Sequence, residues 1–252
     1  MTIVPIVTIV SIIVNFQFSI FNFQLKKTSI IDMHRLSVDE FRKAEKMPLI
    51  VVLDDVRSLY NVGSVFRTAD AFRVEAIYLC GITATPEEVR SEDGTLLRDC
   101  TLKAAQEIHK TALGAEESVS WRYFTSAKAA VESLKNDGYE VLAVEQCHGS
   151  TMLGDFNPNL NDNLNDNDNL NDNDNLNLNE NDNLNLNKNL QPPTSNLQQK
   201  YAVVLGNEVK GVHQDVVDMC DGCLEIPQYG TKHSLNVSVT AGIIIWHFFR
   251  GL

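Results

Sequence analysis

The sequence has few cysteines, no surplus of basic side chains and no apolar run long enough to cross a bilayer. Its five cysteines are an odd number at irregular spacing, which excludes the disulfide framework of a small secreted domain and favours a reducing, cytoplasmic compartment. Cys220 and Cys223 form a C-x-x-C motif, but no second pair or histidine cluster completes four zinc ligands. We therefore favour small, partly buried thiols over a metal or redox role.

Charge is unevenly distributed along the chain. The formal net charge of −12 argues against a generally basic nucleic-acid-binding protein. Residues 159–190, however, hold seven Asp or Glu and one Lys, and so supply half of that net charge. The remainder is only mildly acidic, which leaves room for a local basic patch that binds RNA.

The N-terminal segment carries no charged side chain before Lys26. Its apolar run covers only the first fourteen residues, short of the roughly 20 that span a bilayer, and no positive charge precedes it as in a secretory signal. A membrane anchor, a strand-like extension and translated upstream sequence with the true start at Met33 all remain open. We favour the last, so that residues 1–32 form an extension outside the domain and no membrane attachment is expected.

From Pro48 onward, short apolar runs alternate with amphipathic stretches. Five strands are predicted at LIVVLDD, EAIYLCG, YEVLAVEQ, YAVVLGNE and CLEIP, and helices at HRLSVDEFRKAEK, NVGSVFRTADAF, AAQEIHKTALGAEES, SAKAAVESLKNDG, VHQDVVDMC and SVTAGIIIWHFFR. Asn61 is the predicted N-cap of the second of these helices, and Gly138 lies at the C-cap of the fourth. Strands separated by helices predict an α/β fold, with a mainly parallel sheet and helices on both faces.

Two segments interrupt this pattern. Asn occupies every odd-numbered position from Asn157 to Asn189, with Leu and Asp mixed between, so neither face of a strand would be apolar. Residues 157–199 are therefore predicted to be a disordered insertion within a single domain made of residues 33–156 and 200–252. A second, charged stretch from Glu87 to Lys103 is predicted to be an exposed loop.

Polar residues concentrate in three loops that follow predicted strands, the place where α/β sheets bind ligands. They are Asn61 and Arg67 in LDDVRSLYNVGSVFRTAD, Gly206 and Glu208 in LGNEVKGV, and Ser234 and Asn236 in SLNVSVTAG. Each has an ordinary structural alternative, namely an Arg67 to Asp70 ion pair, turn residues, and a helix N-cap. A phosphate-binding P-loop is excluded because Val212 stands where Lys is needed, and no G-x-G-x-x-G follows a strand.

Taken together, the segments LDDVRSLYNVGSVFRTADAF, YAVVLGNEVKGV, DGCLEIPQYG and SLNVSVTAG resemble, in this order, the motifs of the SpoU or TrmH-type RNA ribose methyltransferases of the SPOUT superfamily. The resemblance covers residues 48–250 apart from the two insertions. It implies a homodimer whose α/β domain ends in a deep trefoil knot, binds S-adenosylmethionine and methylates a ribose 2′-hydroxyl of tRNA or rRNA. A non-catalytic knotted RNA-binding protein and a small-molecule-binding α/β domain remain the alternatives.

The resemblance also implies roles for particular residues. Val144, Gly206, Ile226 and Leu235 would lie in the loops that hold the cofactor, while Arg67, Asn61, Glu208, Ser234 and Asn236 would form the catalytic set. Because a guanidinium stays protonated, Arg67 is expected to hold the 3′-phosphate or to stabilise the developing alkoxide, rather than to act as a base. Loss of the sulfonium charge drives the transfer, so no metal is expected.

Overall fold

The computed structural model describes Lys27, residues 35–158 and residues 199–251. It divides into residues 1–37 and residues 38–252, and the described part of the first unit lies in no helix or strand. The predicted extension and nearly all of the Asn-rich insertion fall outside the described residues, so their assignment stays a prediction. The fold is that of the second unit.

The second unit alternates strands and helices along nearly its whole described length. The helices are α1 (Val38–Lys43), α2 (Leu59–Ala71), α3 (Leu102–Ala112), α4 (Ala115–Ser118), α5 (Ala127–Asn136), α6 (Gln214–Val217) and α7 (Val237–Arg250). The strands are β1 (Met47–Asp54), β2 (Val74–Cys80), β3 (Val89–Arg90), β4 (Leu96–Arg98), β5 (Ser120–Phe124), β6 (Tyr139–Val144), β7 (Thr151–Met152), β8 (Lys200–Leu205) and β9 (Gly222–Glu225).

Seven of these strands form one sheet in the order β5, β2, β1, β8, β6, β9, β7, and every neighbouring pair in it is parallel. Helices α2 and α7 pack on one face through Phe66, Ile244 and Phe248, and α5 packs on the other through Val131 and Leu134. Burial on both faces explains why β1 and β8 read as continuous apolar runs. The predicted α/β fold with a mainly parallel sheet is confirmed.

The sheet holds two strands more than the five predicted. The β5 strand is half exposed at the edge of the sheet, and its sequence SWRYF lacks the apolar run that marks the central strands. The two-residue strand β7 is too short to leave a pattern. The prediction that the charged stretch from Glu87 to Lys103 is only a loop is wrong. This stretch contains the antiparallel hairpin of β3 and β4.

Two predictions about helix ends have different outcomes. The N-cap of α2 is Ser58, not Asn61 as predicted, and the Ser58 hydroxyl accepts from the Asn61 N–H at 3.3 Å. Asn61 therefore lies inside the first turn, where its side chain is free to bond outside the helix. Gly138 follows the C-cap of α5 with a φ of 79°, as predicted for a glycine that ends a helix.

Helix α7 carries apolar side chains at most of its positions. It has 14 residues, so at about 1.5 Å per residue it is shorter than the roughly 30 Å of a bilayer core. No helix in the described ranges is long and apolar enough to cross a membrane.

Candidate active site

A cavity of about 280 Å³ opens at the carboxyl ends of β6, β8 and β9. The sheet order brings these ends together, so the loops that follow the three strands supply its walls. The apolar lining comes from Val144, Leu205, Val209, Ile226, Leu235 and Val237, and the polar lining includes Glu145, Gln146, Asn207, Glu208, Lys210, Glu225, Gln228, His233, Ser234 and Thr240. This is the place where parallel α/β sheets bind ligands.

All four residues predicted to hold a cofactor line this cavity. Val144 ends β6, Gly206 follows β8, and Ile226 and Leu235 lie on the loop between β9 and α7. The structure thus brings together residues that are far apart in sequence, although their role as cofactor-binding residues stays a prediction.

The loop after β8 is a tight hairpin. The N–H of Asn207 donates to the Gly211 carbonyl at 3.0 Å, and the N–H of Gly211 donates to the Asn207 carbonyl at 2.9 Å. The Asn207 side-chain oxygen accepts from the N–H of Val209 at 2.9 Å, and its amide donates to the Asp55 carbonyl at 2.7 Å. Asn207 is therefore a turn residue, in keeping with the structural alternative given above for the loop LGNEVKGV.

Two side chains directly after β6 tie the walls of the cavity together. The carboxylate of Glu145 accepts from the N–H of Val212 at 3.0 Å, and the amide of Gln146 donates to the His233 carbonyl at 3.2 Å. Sequence reasoning missed both residues. The available signal was a pair of polar residues immediately after a buried strand.

Hydrogen bonds join three of the predicted catalytic residues into one chain. The Asn61 amide donates to Glu208 Oε1 at 3.1 Å, and the Asn236 amide donates to Asn61 Oδ1 at 3.1 Å. Asn236 Oδ1 in turn accepts from the N–H of Ser238 at 2.9 Å, which makes Asn236 the N-cap of α7. The three polar loops identified in the sequence therefore meet at one point, and Asn236 both caps its helix and joins the network.

Glu208 is the acceptor at the end of this chain. Partial burial favours its neutral form, but hydrogen bonds from the backbone N–H groups of Arg57 and Ser58 and from Asn61 outweigh burial and lower the pKa of Glu208 below its ordinary value. The two backbone donors lie 3.1 and 2.9 Å from its oxygens. Glu208 is thus a carboxylate at neutral pH and a weak proton acceptor.

We expect Glu208→Gln to remove a pH-dependent part of the stability. Because the folded-state pKa is depressed, the carboxylate stabilises the fold above its unfolded pKa of about 4.3, and this contribution is lost as the pH falls through the folded value. The variant should lose about 1 kcal/mol of unfolding free energy at neutral pH, solvent screening keeping the effect small. Thermal melting from neutral pH to below pH 4 checks this: the wild-type and variant curves should converge in acid.

Arg67 and Ser234 lie outside the hydrogen-bonded chain. Arg67 is exposed on α2, about two helical turns beyond Asn61, and does not line the cavity. The alternative that it pairs with Asp70 is wrong: Asp70 accepts instead from the hydroxyl of Ser118 at 2.5 Å, and Arg67 makes no hydrogen bond or ion pair with any other described residue. Ser234 lines the cavity on its exposed rim.

A cluster of side chains with metal-ligating character lies beside the loop after β8. Donor atoms of Asp54, Asp55 and His213 fall within 4.8 Å of one another. Each already has a protein partner, since His213 Nδ1 lies 2.9 Å from Asp54 Oδ2 and Asp55 Oδ1 accepts from the N–H of Ile82 at 2.9 Å. These contacts tie the end of β1 to the start of α6, and the expectation of no metal stays a prediction.

Comparison with known proteins gives a match to a model described as the SpoU rRNA Methylase family over residues 48–246. An uncharacterized tRNA/rRNA methyltransferase of Borreliella burgdorferi is 26% identical over 90% of this chain and 73% of its own length. A 23S rRNA (guanosine-2′-O-)-methyltransferase RlmB of Neisseria meningitidis is 26% identical over 82% of this chain, which spans only 60% of that relative.

A solved structure shares the fold. The crystal structure of an AdoMet-bound rRNA methyltransferase from Sinorhizobium meliloti superposes with a TM-score of 0.57 at 19% identity, covering 86% of this chain and 62% of the other. At this identity the likeness establishes the arrangement of strands and helices alone.

Proposed function

Because the chain belongs to the SpoU rRNA Methylase family, we propose that it transfers a methyl group from S-adenosylmethionine to a ribose 2′-hydroxyl of tRNA or rRNA. The observation that carries this proposal is the hydrogen-bonded chain of Glu208, Asn61 and Asn236, which joins three loops beside one cavity. The resemblance implies a shared catalytic role for these three residues, and their contacts support it.

The cavity suits the cofactor in its chemistry. S-adenosylmethionine presents a flat adenine, a ribose and a charged amino-acid end. Val144, Ile226 and Leu235 offer apolar surface for the adenine, while Glu145 and Gln228 offer polar groups to the rest. The volume of about 280 Å³ lies close to the lower limit for sites that bury a ligand of this size.

When bound, the cofactor supplies an activated methyl group for an in-line displacement. The protein must then orient the 2′-hydroxyl and stabilise the charge that develops on its oxygen. Arg67, exposed and without a partner among the described residues, is available to an RNA phosphate or to that oxygen. Glu208 already accepts three hydrogen bonds, so it positions Asn61 and the backbone around it instead of taking the proton.

We further propose that the chain is knotted as the resemblance implies. Residues 146–156 contact both the loop before α7 and α7 itself, as a covering segment would. Gln146 donates to His233, His247 Nε2 lies 2.7 Å from the Phe156 carbonyl, and the rings of Phe156 and Phe248 are 5.6 Å apart. The knot would be contradicted by a crystal structure in which the C-terminal segment does not pass through a loop formed by an earlier part of the chain.

A homodimer is proposed from the resemblance and from the outer face of α7. Val239, Ile243 and Trp246 follow one another at helical spacing, and Val239 and Trp246 are 51% and 49% exposed. Such a stripe on a helix already packed on its other side is typical of a surface that a second copy covers.

We expect Trp246→Glu to weaken the dimer by about thirtyfold or more, since a central tryptophan at an interface contributes roughly 2 kcal/mol or more. Sedimentation velocity over a range of concentrations measures the shift toward monomer. Leu102→Glu is the matched control, because Leu102 is 76% exposed on α3 and its replacement should leave the dimer intact. An unchanged dimer in the Trp246 variant would assign the interface to another face.

The decisive experiment for the reaction is incubation of the protein with labelled S-adenosylmethionine and unmodified total RNA, followed by mapping of ribose methylation. We expect label at a 2′-oxygen of a tRNA or rRNA nucleotide. Label on a base would contradict the ribose assignment. Cofactor binding without transfer to any RNA would favour the non-catalytic RNA-binding alternative.

A further inference from the structure

Two cysteines that are far apart in sequence meet beside the cavity. The Sγ atoms of Cys147 and Cys223 lie 3.1 Å apart, and Cys223 Sγ also lies 3.2 Å from the Glu145 carbonyl. The C-x-x-C partner of Cys223 faces elsewhere, because Cys220 Sγ lies 3.2 Å from the Val216 carbonyl. Cys220 and Cys223 are thus neighbours in the sequence motif, whereas the fold places Cys147 next to Cys223.

The backbone holds the Cys147 and Cys223 thiols in this position. Strand β9 pairs with β6 so that Cys223 lies opposite Ala143, and the N–H of Glu145 continues that pairing by donating to the Leu224 carbonyl at 3.1 Å. Cys147 then opens a turn that the N–H of Ser150 closes on its carbonyl at 3.2 Å. A disulfide needs an S to S distance of about 2.05 Å, so the two sulfurs must approach by about 1 Å.

Both thiols are half-buried and within reach of a small reagent. Burial, followed by the hydrogen bond and charge of Cys147, raises the pKa of Cys223 to about 12. Cys223 is therefore a poor first nucleophile, and Cys147 is left to make the first attack.

We propose that Cys147 and Cys223 form a modification site: a small-molecule disulfide oxidises them to an intramolecular disulfide, which weakens binding in the adjacent cavity. The Cys147 thiolate attacks one sulfur of the reagent and releases the first thiolate. Cys223, giving its proton to that leaving group, then attacks the Cys147 sulfur of the mixed disulfide and releases the second thiolate. The two protein thiols lose two electrons, and the reagent gains them as two thiols.

Oxidation alters the cavity because both cysteines adjoin residues that line it. Cys147 follows the cavity-lining pair Glu145 and Gln146, whose side chains hold Val212, next to the lining residue Gly211, and His233. Drawing Cys147 toward β9 displaces these two anchors. This consequence rests on the proposed function, since it takes the cavity as the S-adenosylmethionine site.

The first measurement concerns the bond alone. The full-length protein is incubated with oxidised glutathione and digested without reduction, and cross-linked peptides are identified by mass spectrometry. We expect one linked peptide, between Cys147 and Cys223, that is absent from Cys147→Ser and retained in Cys100→Ser, whose thiol lies outside the pair. A Cys220 to Cys223 link, links between chains, or only glutathione adducts would overturn the proposal, and none of these outcomes depends on methyl transfer.

The second measurement is the dissociation constant of S-adenosylmethionine by calorimetry. Oxidised wild type should bind roughly tenfold more weakly than reduced protein, as expected for one or two misplaced hydrogen bonds, and dithiothreitol should restore binding. Cys147→Ser should bind alike under both conditions, with its circular dichroism confirming the fold. Equal affinity of the two wild-type forms would refute the effect on the cavity. If reduced protein does not bind the cofactor at all, the proposed function fails while the disulfide result stands.

Discussion

Methyl transfer should fall by about a hundredfold or more in Arg67→Ala, the range seen when one donor to a developing negative charge is removed. The side chain is exposed and makes no hydrogen bond or ion pair with another described residue, so its loss breaks no polar contact among them. The melting temperature and the affinity for S-adenosylmethionine should therefore stay at wild-type values. Single-turnover kinetics with a methylatable RNA, together with calorimetry for the cofactor, separate these quantities.

Two further variants make the test of Arg67 specific. Arg67→Lys keeps the charge but loses the planar fork of donors, so it should recover only part of the activity. Lys128→Ala removes an exposed cation from α5, on the opposite face of the sheet, and should have no effect. Near-normal turnover in Arg67→Ala would refute the role given to Arg67.

Gly206→Ala is expected to abolish cofactor binding at any practical concentration. A Cβ at this position would lie 2.0 Å from the carbonyl carbon of Gly211 and 2.1 Å from the nitrogen of Val212, both backbone atoms that have no rotamer to yield. The hairpin after β8 must open to admit the methyl group, and this moves the wall that carries Glu208. Overpacking of this kind also costs about 1 to 3 kcal/mol of stability.

Gly154→Ala is the matched control for Gly206→Ala, since a Cβ at Gly154 meets no atom within 4 Å and the residue is exposed. Its melting temperature and cofactor affinity should be unchanged. If Gly206→Ala bound S-adenosylmethionine with wild-type affinity, the hairpin would accept the methyl group without cost. Gly206 would then have no part in cofactor binding.

The central strands and the meeting of the polar loops could be predicted because each has a local signature. LIVVL and YAVVL are continuous apolar runs, which are typical of strands buried on both faces of a sheet. Glu208 follows strand β8, and Asn236 precedes helix α7. Parallel strands place their carboxyl ends at one edge of the sheet, so polar residues in the loops there are expected to meet.

Other features depend on contacts that no local pattern contains. Ser58 and Asn61 are both residue types that suit an N-cap, but in the structure Ser58 caps α2 while the Asn61 side chain bonds Glu208. The C-x-x-C spacing of Cys220 and Cys223 carried no sign of Cys147, whereas the register of β6 against β9 brings Cys147 to Cys223. Edge strand β5 escaped notice because half-exposed residues carry a weak apolar signal.

The position of β8 between β1 and β6 also sets the order in which the protein assembles. Leu49 in β1 pairs with Tyr201 in β8, so the middle of the sheet stays open until the ribosome has made the Asn-rich segment and the strand after it. For the disordered loop that the sequence predicts here, the equilibrium cost is small, because each doubling of a loop adds only about 0.6 kcal/mol of closure entropy. The cost is kinetic: high contact order slows folding, and the unpaired edges of β1 and β6 stay exposed to aggregation in the meantime.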